Sequence, residues 1–172
     1  MHSHQNLNLN HRHRPGSCLR VGRRGFTLIE VLVAVAIVAI LASVAYPAYQ
    51  SSIRKSRRAE AFAALSAVQL AQERWRSNHA GYTDSITGTW PTLGLGLLAT
   101  TSAGYYALTV TLDGTGVTGY DAVATANAGT SQAGDGSCAR LLVQMRGGNI
   151  FYGSASASGA FDVSANNKCW SR

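Results

Sequence analysis

A long apolar run near the N-terminus constrains the fold of this chain more than any other feature. Every residue from Val31 to Ala45 is apolar except Ser43, and Glu30 is the only charged residue from Phe26 to Tyr49. Because a helix rises about 1.5 Å per residue, about 20 such residues cross the core of a bilayer. The sequence therefore predicts a transmembrane helix over residues 26–49, and the rest of the 172-residue chain suffices for one small domain.

Most of the positive charge of the chain lies before this run. The formal net charge is +7, and five arginines with no acidic residue fall within residues 1–24. From Phe26 onward, ten basic residues stand against eight acidic ones, a net charge of +2. A strongly basic chain favours nucleic acids or anionic membranes as partners. Here the basic character belongs mainly to the leading segment, so it says little about the domain that follows.

Three interpretations of the first 49 residues compete. The segment is an ordinary signal peptide cleaved near residues 42–45, an uncleaved anchor, or a segment that is cut before the apolar run. A carboxylate costs about 2.5–3.5 kcal/mol at the bilayer centre and less near the interface, so ordinary signals and anchors avoid one. Glu30 therefore favours the third interpretation. The alternative is that Glu30 only stabilises the first helical turn through the helix dipole.

The hexapeptide Gly25-Phe26-Thr27-Leu28-Ile29-Glu30 resembles the class III signal of type IV prepilins. The resemblance implies that a prepilin peptidase removes residues 1–25 by cutting between Gly25 and Phe26, and that Phe26 is then N-methylated. It also implies that Glu30 pairs with the α-amine of Phe26 in a neighbouring subunit during assembly. Pro47 lies where many type IV pilins have a proline, and it is expected to kink the helix and to take part in assembly.

The helical pattern continues after Pro47 as an amphipathic half over residues 50–78. Its apolar stripe, interrupted by Gln72, is expected to pack on a sheet, and it consists of Ala61, Leu65, Val68 and Trp75. Arg54, Arg57 and Arg58 share one face, with Lys55 beside them. A solvated, lipid-facing or intersubunit face is one interpretation of these cations. A DNA-contacting patch is the other, because phosphate binding requires clustered cations.

The remaining sequence predicts an α+β domain. Residues 79–104 are expected to form a loop, and residues 105–172 an antiparallel sheet of about four strands with the C-terminal region. Alternating apolar residues predict a strand at 106–112, followed by strands at 120–126, 139–145 and 150–152. The resemblance implies the type IV pilin fold, in which a long N-terminal helix, transmembrane in its first half, packs on this sheet.

The cysteines fit the same resemblance. Cys18 would leave with the leader, so Cys138 and Cys169 remain. The resemblance implies a disulfide between them that bounds the C-terminal region, and such a bond persists in an oxidising compartment. The sequence around Cys138 and the pair Cys169-Trp170 resemble minor pilins of the PilE type.

No pattern in the sequence indicates catalysis. Four of the five histidines precede residue 14, and no nucleophile elbow, P-loop or dinucleotide fingerprint occurs. The protein is therefore predicted to have no enzymatic activity, no cofactor and no metal site.

The sequence thus predicts a structural subunit of a type IV pilus, of the minor-pilin type. It would be inserted in the inner membrane with its C-terminal domain in the periplasm, and then polymerised into an extracellular pilus that serves motility, adhesion or DNA uptake. Its expected partners are other pilin subunits, the prepilin peptidase, the inner-membrane assembly platform, the membrane and, as a candidate, DNA.

Three alternatives stay open. They are a DNA-binding minor pilin of competence, a type II secretion pseudopilin, which usually lacks the C-terminal disulfide, and an exported soluble protein. The candidate DNA- or partner-binding residues are Arg54, Lys55, Arg57, Arg58, Arg140, Arg146 and Lys168.

Overall fold

The computed structural model describes residues 25–170. One helix, α1 (Leu28–Arg76), precedes four strands, and a short 3₁₀ turn (Gly136–Cys138) separates the second strand from the third. The strands are β1 (Tyr106–Leu112), β2 (Gly119–Ala126), β3 (Arg140–Arg146) and β4 (Asn149–Ala155). The predicted α+β fold, a long helix followed by a four-stranded sheet, is confirmed.

The chain divides after Ala42 into two compact units. The first described unit is the beginning of α1, where large apolar side chains are exposed all round the helix. By length and composition, α1 is the one described helix that is apolar enough to cross a membrane. The helix is unbroken at Pro47, so the proline lies inside α1 rather than at its end.

The second unit holds the rest of α1 and an antiparallel meander with the strand order β1-β2-β3-β4. The predicted antiparallel sheet of about four strands is therefore confirmed. Gly147 and Gly148 both have positive φ angles, +54° and +86°, which suits the two-residue turn between β3 and β4. The strand β4 runs to Ala155, further than the predicted residue 152, because pairing with β3 extends it through a Gly/Ser/Ala segment of low intrinsic strand preference.

The core lies between one face of the sheet and the apolar stripe of α1. Ala61, Leu65, Val68 and Trp75 are buried there, as the helical spacing predicts. They face alternate residues of the strands, and the two tyrosines Tyr106 and Tyr120 are fully buried in the same cluster. This packing covers one face of β1, β2 and β3, whereas Ile150 and Tyr152 on the same face of β4 stay partly exposed.

The loop between α1 and β1 is tied to the helix near both of its ends. The side-chain amide of Gln72 is buried, donates to the carbonyl of Thr83 at 2.6 Å and accepts from its N–H at 3.1 Å. The carboxylate of Glu60 accepts from the N–H of Ala103 at 2.6 Å. Gln72, an interruption of the apolar row in the sequence, therefore satisfies the backbone of a loop that crosses the core.

The segment after β4 folds back along the edge of β4. Ser154 and Asp162 exchange two backbone hydrogen bonds of 3.0 and 2.8 Å. A Cβ atom on Gly153 would lie 2.9 Å from a methyl group of Val163 and 3.2 Å from Leu142. The glycine therefore provides the space in which Val163 covers Leu142.

Candidate functional site

The start of α1 places Glu30 in the first helical turn. The hydroxyl of Thr27 accepts a hydrogen bond from the backbone N–H of Glu30 at 3.3 Å, so Thr27 caps the helix. Threonine followed three residues later by glutamate is the capping-box pattern. The carboxylate of Glu30 is exposed near the positive end of the helix dipole. Its role toward the amine of Phe26, and processing at Gly25, stay predictions.

The apolar run exposes large hydrophobic side chains on the first part of α1. Side chains on every face of residues 31–44 are more than half exposed, or nearly so, among them Val33, Val38 and Leu41. A helix that is apolar on all sides is stable when lipid or other helices surround it.

Arg54, Arg57 and Arg58 lie in the cationic segment of α1, residues 54–58, and all three bind one loop. We call their contacts with residues 131–135 the arginine clamp. Arg54 donates to the carbonyl of Gly134 at 2.8 Å, and Arg57 donates to the hydroxyl of Ser131. The guanidinium of Arg57 also lies 4.2 Å from the ring centre of Tyr105. The shared face that the spacing predicts thus holds the loop before β3 against α1.

The strongest contact of the arginine clamp is an ion pair. Arg58 donates two hydrogen bonds to the carboxylate of Asp135, at 2.6 and 2.7 Å. The side chains are 16% and 7% exposed, so water screens the pair poorly. The hydrogen bond to Asp135 raises the pKa of Arg58 above its ordinary value. Gln132 donates to the same carboxylate at 2.9 Å.

A groove opens on the other side of Arg58. It encloses about 530 Å³ and is lined by Lys55, Arg58, Phe62, Ser66, Tyr152, Cys169 and Trp170. The ring of Trp170 lies 4.6 Å from that of Phe62 and 4.7 Å from that of Tyr152, measured between centres. The groove therefore combines a cation on α1 with an aromatic wall.

A disulfide fixes the C-terminal wall of this groove. Cys138 and Cys169 are bonded, with their Cα atoms 5.6 Å apart, which confirms the predicted bridge. The indole N–H of Trp170 donates to the carbonyl of Gly153 at 2.7 Å. Because Cys138 lies only three residues after Asp135 of the clamped loop, the arginine clamp and the disulfide together position the C-terminal segment.

The basic residues of the sheet also form hydrogen bonds and ion pairs. Arg140 donates to the carbonyls of Ser156 and Gly159. Arg146 forms ion pairs with Asp121 at 2.9 Å and Asp113 at 3.4 Å. Lys168 lines a shallow cavity of about 360 Å³ behind the disulfide, and its side chain is exposed.

A family model described as "Type IV minor pilin ComP, DNA uptake sequence receptor" matches residues 47–142, which is more than half of the chain. The chain belongs to this type IV minor pilin family. A second model, described as "Prokaryotic N-terminal methylation motif", matches residues 20–46 of the minor pilin. No curated protein matches the chain.

The two matches meet at residues 46 and 47, between the apolar run and the domain. The predicted type IV pilin resemblance is confirmed, and the methylation motif together with the apolar helix indicates a membrane-anchored minor pilin. Pilin families are structural rather than enzymatic. Among the described residues, no group of three or more histidine, cysteine or acidic side chains is arranged to hold a metal ion.

The seven predicted cations of the minor pilin do not form one patch of equivalent charges. Arg58 and Arg146 are neutralised by carboxylates. Arg54, Arg57 and Arg140 donate to neutral oxygens, so within the described part of the chain their positive charges are not cancelled by a bonded acid. Lys55 is exposed at the groove.

Sequence reasoning missed the partners of the arginine clamp in this minor pilin. It gave no role to Ser131, Gln132 or Asp135. The signal that could have found Asp135 is its place three residues before Cys138, because a carboxylate drawn toward the core by the predicted disulfide requires a cation.

Proposed function

We propose that this protein is a minor subunit of a type IV pilus that binds double-stranded DNA outside the inner membrane for uptake. The observation that carries the proposal is the match of residues 47–142 to a family described as a DNA uptake sequence receptor. That match contains the whole cationic segment of α1 and strands β1 and β2, and it extends into β3.

The charges of the described domain support one surface for the phosphates. Arg54 and Arg57 on one side of Arg58, and Lys55 on its other side, lie within one turn of α1; we call them the cationic helix face, and their positive charge is not cancelled by a bonded carboxylate. The arginine clamp fixes two of these side chains, so they lose less conformational entropy when they bind phosphate. The aromatic wall of the adjoining groove is available to bases or sugars.

Equilibrium binding of labelled duplex DNA to the full chain in non-ionic micelles tests this proposal. Fluorescence anisotropy over a series of salt concentrations gives the number of phosphate contacts. For each contact, the logarithm of the binding constant falls by about 0.9 when the salt concentration rises tenfold. Competition with a duplex of the same composition and scrambled order measures sequence preference. Absence of binding at low salt would refute the proposed DNA function.

Lys55→Gln is the informative variant, because Lys55 is exposed and is not part of the arginine clamp. We expect weaker binding and a salt slope that is smaller by about 1. Arg74→Gln is the matched control, since Arg74 is an exposed cation in the last turn of α1. Equal losses for both variants would mean that DNA responds to overall charge rather than to the cationic helix face.

The same proposal includes maturation and assembly. A prepilin peptidase cuts between Gly25 and Phe26, Phe26 is N-methylated, and an inner-membrane assembly platform adds the subunit to the pilus through α1. The methylation motif and the exposed apolar helix support this route. In the membrane, the C-terminal domain lies in the periplasm, where the disulfide is stable.

Glu30 carries the assembly step by pairing with the α-amine of Phe26 in a neighbouring subunit. In a water-poor filament core, this pair fixes the register of the subunits, because an unpaired charge there is costly. Glu30→Ala should abolish incorporation into pili without unfolding the sheet domain, as measured by pilus fractionation and tryptophan fluorescence. Glu73→Ala, at an exposed position of α1, is the control. Normal incorporation of Glu30→Ala would contradict the assigned role.

A further inference from the structure

The strand β4 is an edge strand that is only half covered. Ser154 exchanges backbone hydrogen bonds with Asp162, so its N–H and C=O point away from β3. Because these directions alternate along a strand, the backbone groups of Ile150 and Tyr152 point the same way. Within residues 25–170, no backbone partner pairs with them. Four hydrogen-bonding groups are therefore open at this end of β4.

This open edge lacks the features that usually prevent edge pairing. No charged residue and no proline occurs from Gly147 to Phe161. The register of β3 and β4 is one-to-one along its whole length, without a bulge. Proteins normally blunt exposed edges with lysine, proline or a bulge. The absence of all three in this segment leaves β4 able to accept another strand.

The open edge is also apolar on both faces. Ile150, Phe151 and Tyr152 are 37%, 42% and 44% exposed. A groove of about 690 Å³ follows them, with Val163 and Trp170 in its walls. An extended segment placed on this edge would contact Ile150 and Tyr152 on one face and Phe151 on the other.

We propose that β4 pairs antiparallel with β4 of a second copy of this chain, about a two-fold axis at Phe151. In this register, Ile150 lies opposite the partner's Tyr152, and Tyr152 lies opposite the partner's Ile150. These two pairs use all four open backbone groups. Phe151 then lies opposite the partner's Phe151 in a pair without backbone hydrogen bonds, where the Cα atoms are about 4.5 Å apart.

A second copy is the occupant that the side chains favour. The pairing places aromatic opposite aromatic and aromatic opposite β-branched, both of which stabilise antiparallel sheets. No like charges meet, since the segment is uncharged. Three residues of each strand form a small interface, so the dimer is weak in dilute solution and depends on the high local concentration of a membrane or a filament.

Disulfide trapping in the full chain tests the proposed register. In a Cys18→Ser background, Phe151→Cys places two thiols at a separation that a disulfide spans, about 4.4–6.8 Å between Cα atoms. Thr109→Cys is the control, because Thr109 is an exposed mid-strand residue of β1 at the other edge of the sheet. Both variants are reconstituted in lipid vesicles and oxidised mildly, and peptide mass mapping identifies the bonds.

We expect a covalent dimer joined through position 151 in the first variant, several-fold more abundant than any dimer in the control. The native bond between Cys138 and Cys169 should stay intact in both, which shows that the domain is folded. Adding Ile150→Lys to Phe151→Cys should remove the dimer, because lysine blunts the edge. Equal dimer formation by both cysteines, no dimer, or a dimer that Ile150→Lys leaves unchanged would overturn the proposal. None of these results depends on whether DNA binds.

Discussion

Replacing Asp135 by asparagine removes the charge on which the arginine clamp depends. The carboxylate accepts three hydrogen bonds, two from Arg58 and one from Gln132. Asp135 is 7% exposed and Arg58 is 16% exposed, so water cannot readily replace the lost charge. In the variant, the guanidinium of Arg58 stays largely buried without its counter-ion.

The expected cost follows from this burial. Breaking a buried ion pair by removing one partner costs about 3–5 kcal/mol. Asparagine keeps the volume and one acceptor oxygen, and Arg58 retains some contact with water, so we expect the lower end, about 3 kcal/mol. A domain of this size loses about 2–4 °C in Tm per kcal/mol, which gives a decrease of about 6–12 °C.

Thermal denaturation of the full chain in non-ionic micelles measures this decrease. Tryptophan fluorescence reports on the sheet domain, because the three tryptophans of the chain lie in the unit that contains the sheet. Arg58→Met and the double variant complete a double-mutant cycle. The double variant should be more stable than the sum of the single losses predicts, since it buries no unpaired charge. Arg74→Gln serves as the surface control.

Two results would refute this reasoning. A decrease in Tm of less than about 2 °C for Asp135→Asn would mean that solvent reaches the guanidinium. An additive cycle would mean that Arg58 and Asp135 do not interact energetically in the folded domain.

Three further outcomes are expected. Gln72→Leu should cost about 1–3 kcal/mol in urea unfolding, because both backbone groups of Thr83 lose their partner; an unchanged midpoint would show that water replaces the amide. Reducing the bond between Cys138 and Cys169 should cost about 3–4 kcal/mol for a loop of this length, and a scan with and without reductant measures it. Burial raises the pKa of Tyr106 to about 12. Because an unfolded tyrosine ionises near pH 10, this contribution to stability is complete below that pH and is lost between about pH 10 and 12; Tyr106→Phe should weaken the alkaline loss of stability, and an unchanged pH profile would exclude Tyr106 as its source.

Local patterns in the sequence predicted the fold because the apolar residues of each helix or strand recur with the period of that element. The apolar stripe from Ala61 to Trp75 follows the helical period, and strand β1 alternates along its length. The end of β4 was not predictable in the same way. Its Gly/Ser/Ala residues carry no strand pattern, and their extended conformation depends on β3.

The candidate site was predictable only in part. The sequence places Arg54, Arg57 and Arg58 on one face of a helix, because that depends on spacing alone. It does not reveal that residues 131–135, more than 70 positions away, bind them. Contacts over such a separation depend on how the meander and its turns return to the helix, and no local pattern records them.

By itself the sequence determined the apolar helix, the motif from Gly25 to Glu30 that resembles a prepilin signal, the order of strands along the chain and the two cysteines Cys138 and Cys169 that follow the apolar helix. These features depend on residue type and short-range spacing. The tertiary structure alone decided which cations are neutralised, that Gln72 and Asp135 are buried partners, and that β4 ends the sheet with Ile150 and Tyr152 open. Such features arise from long-range packing, because the environment of a charge or a backbone group is set by residues that are distant in sequence.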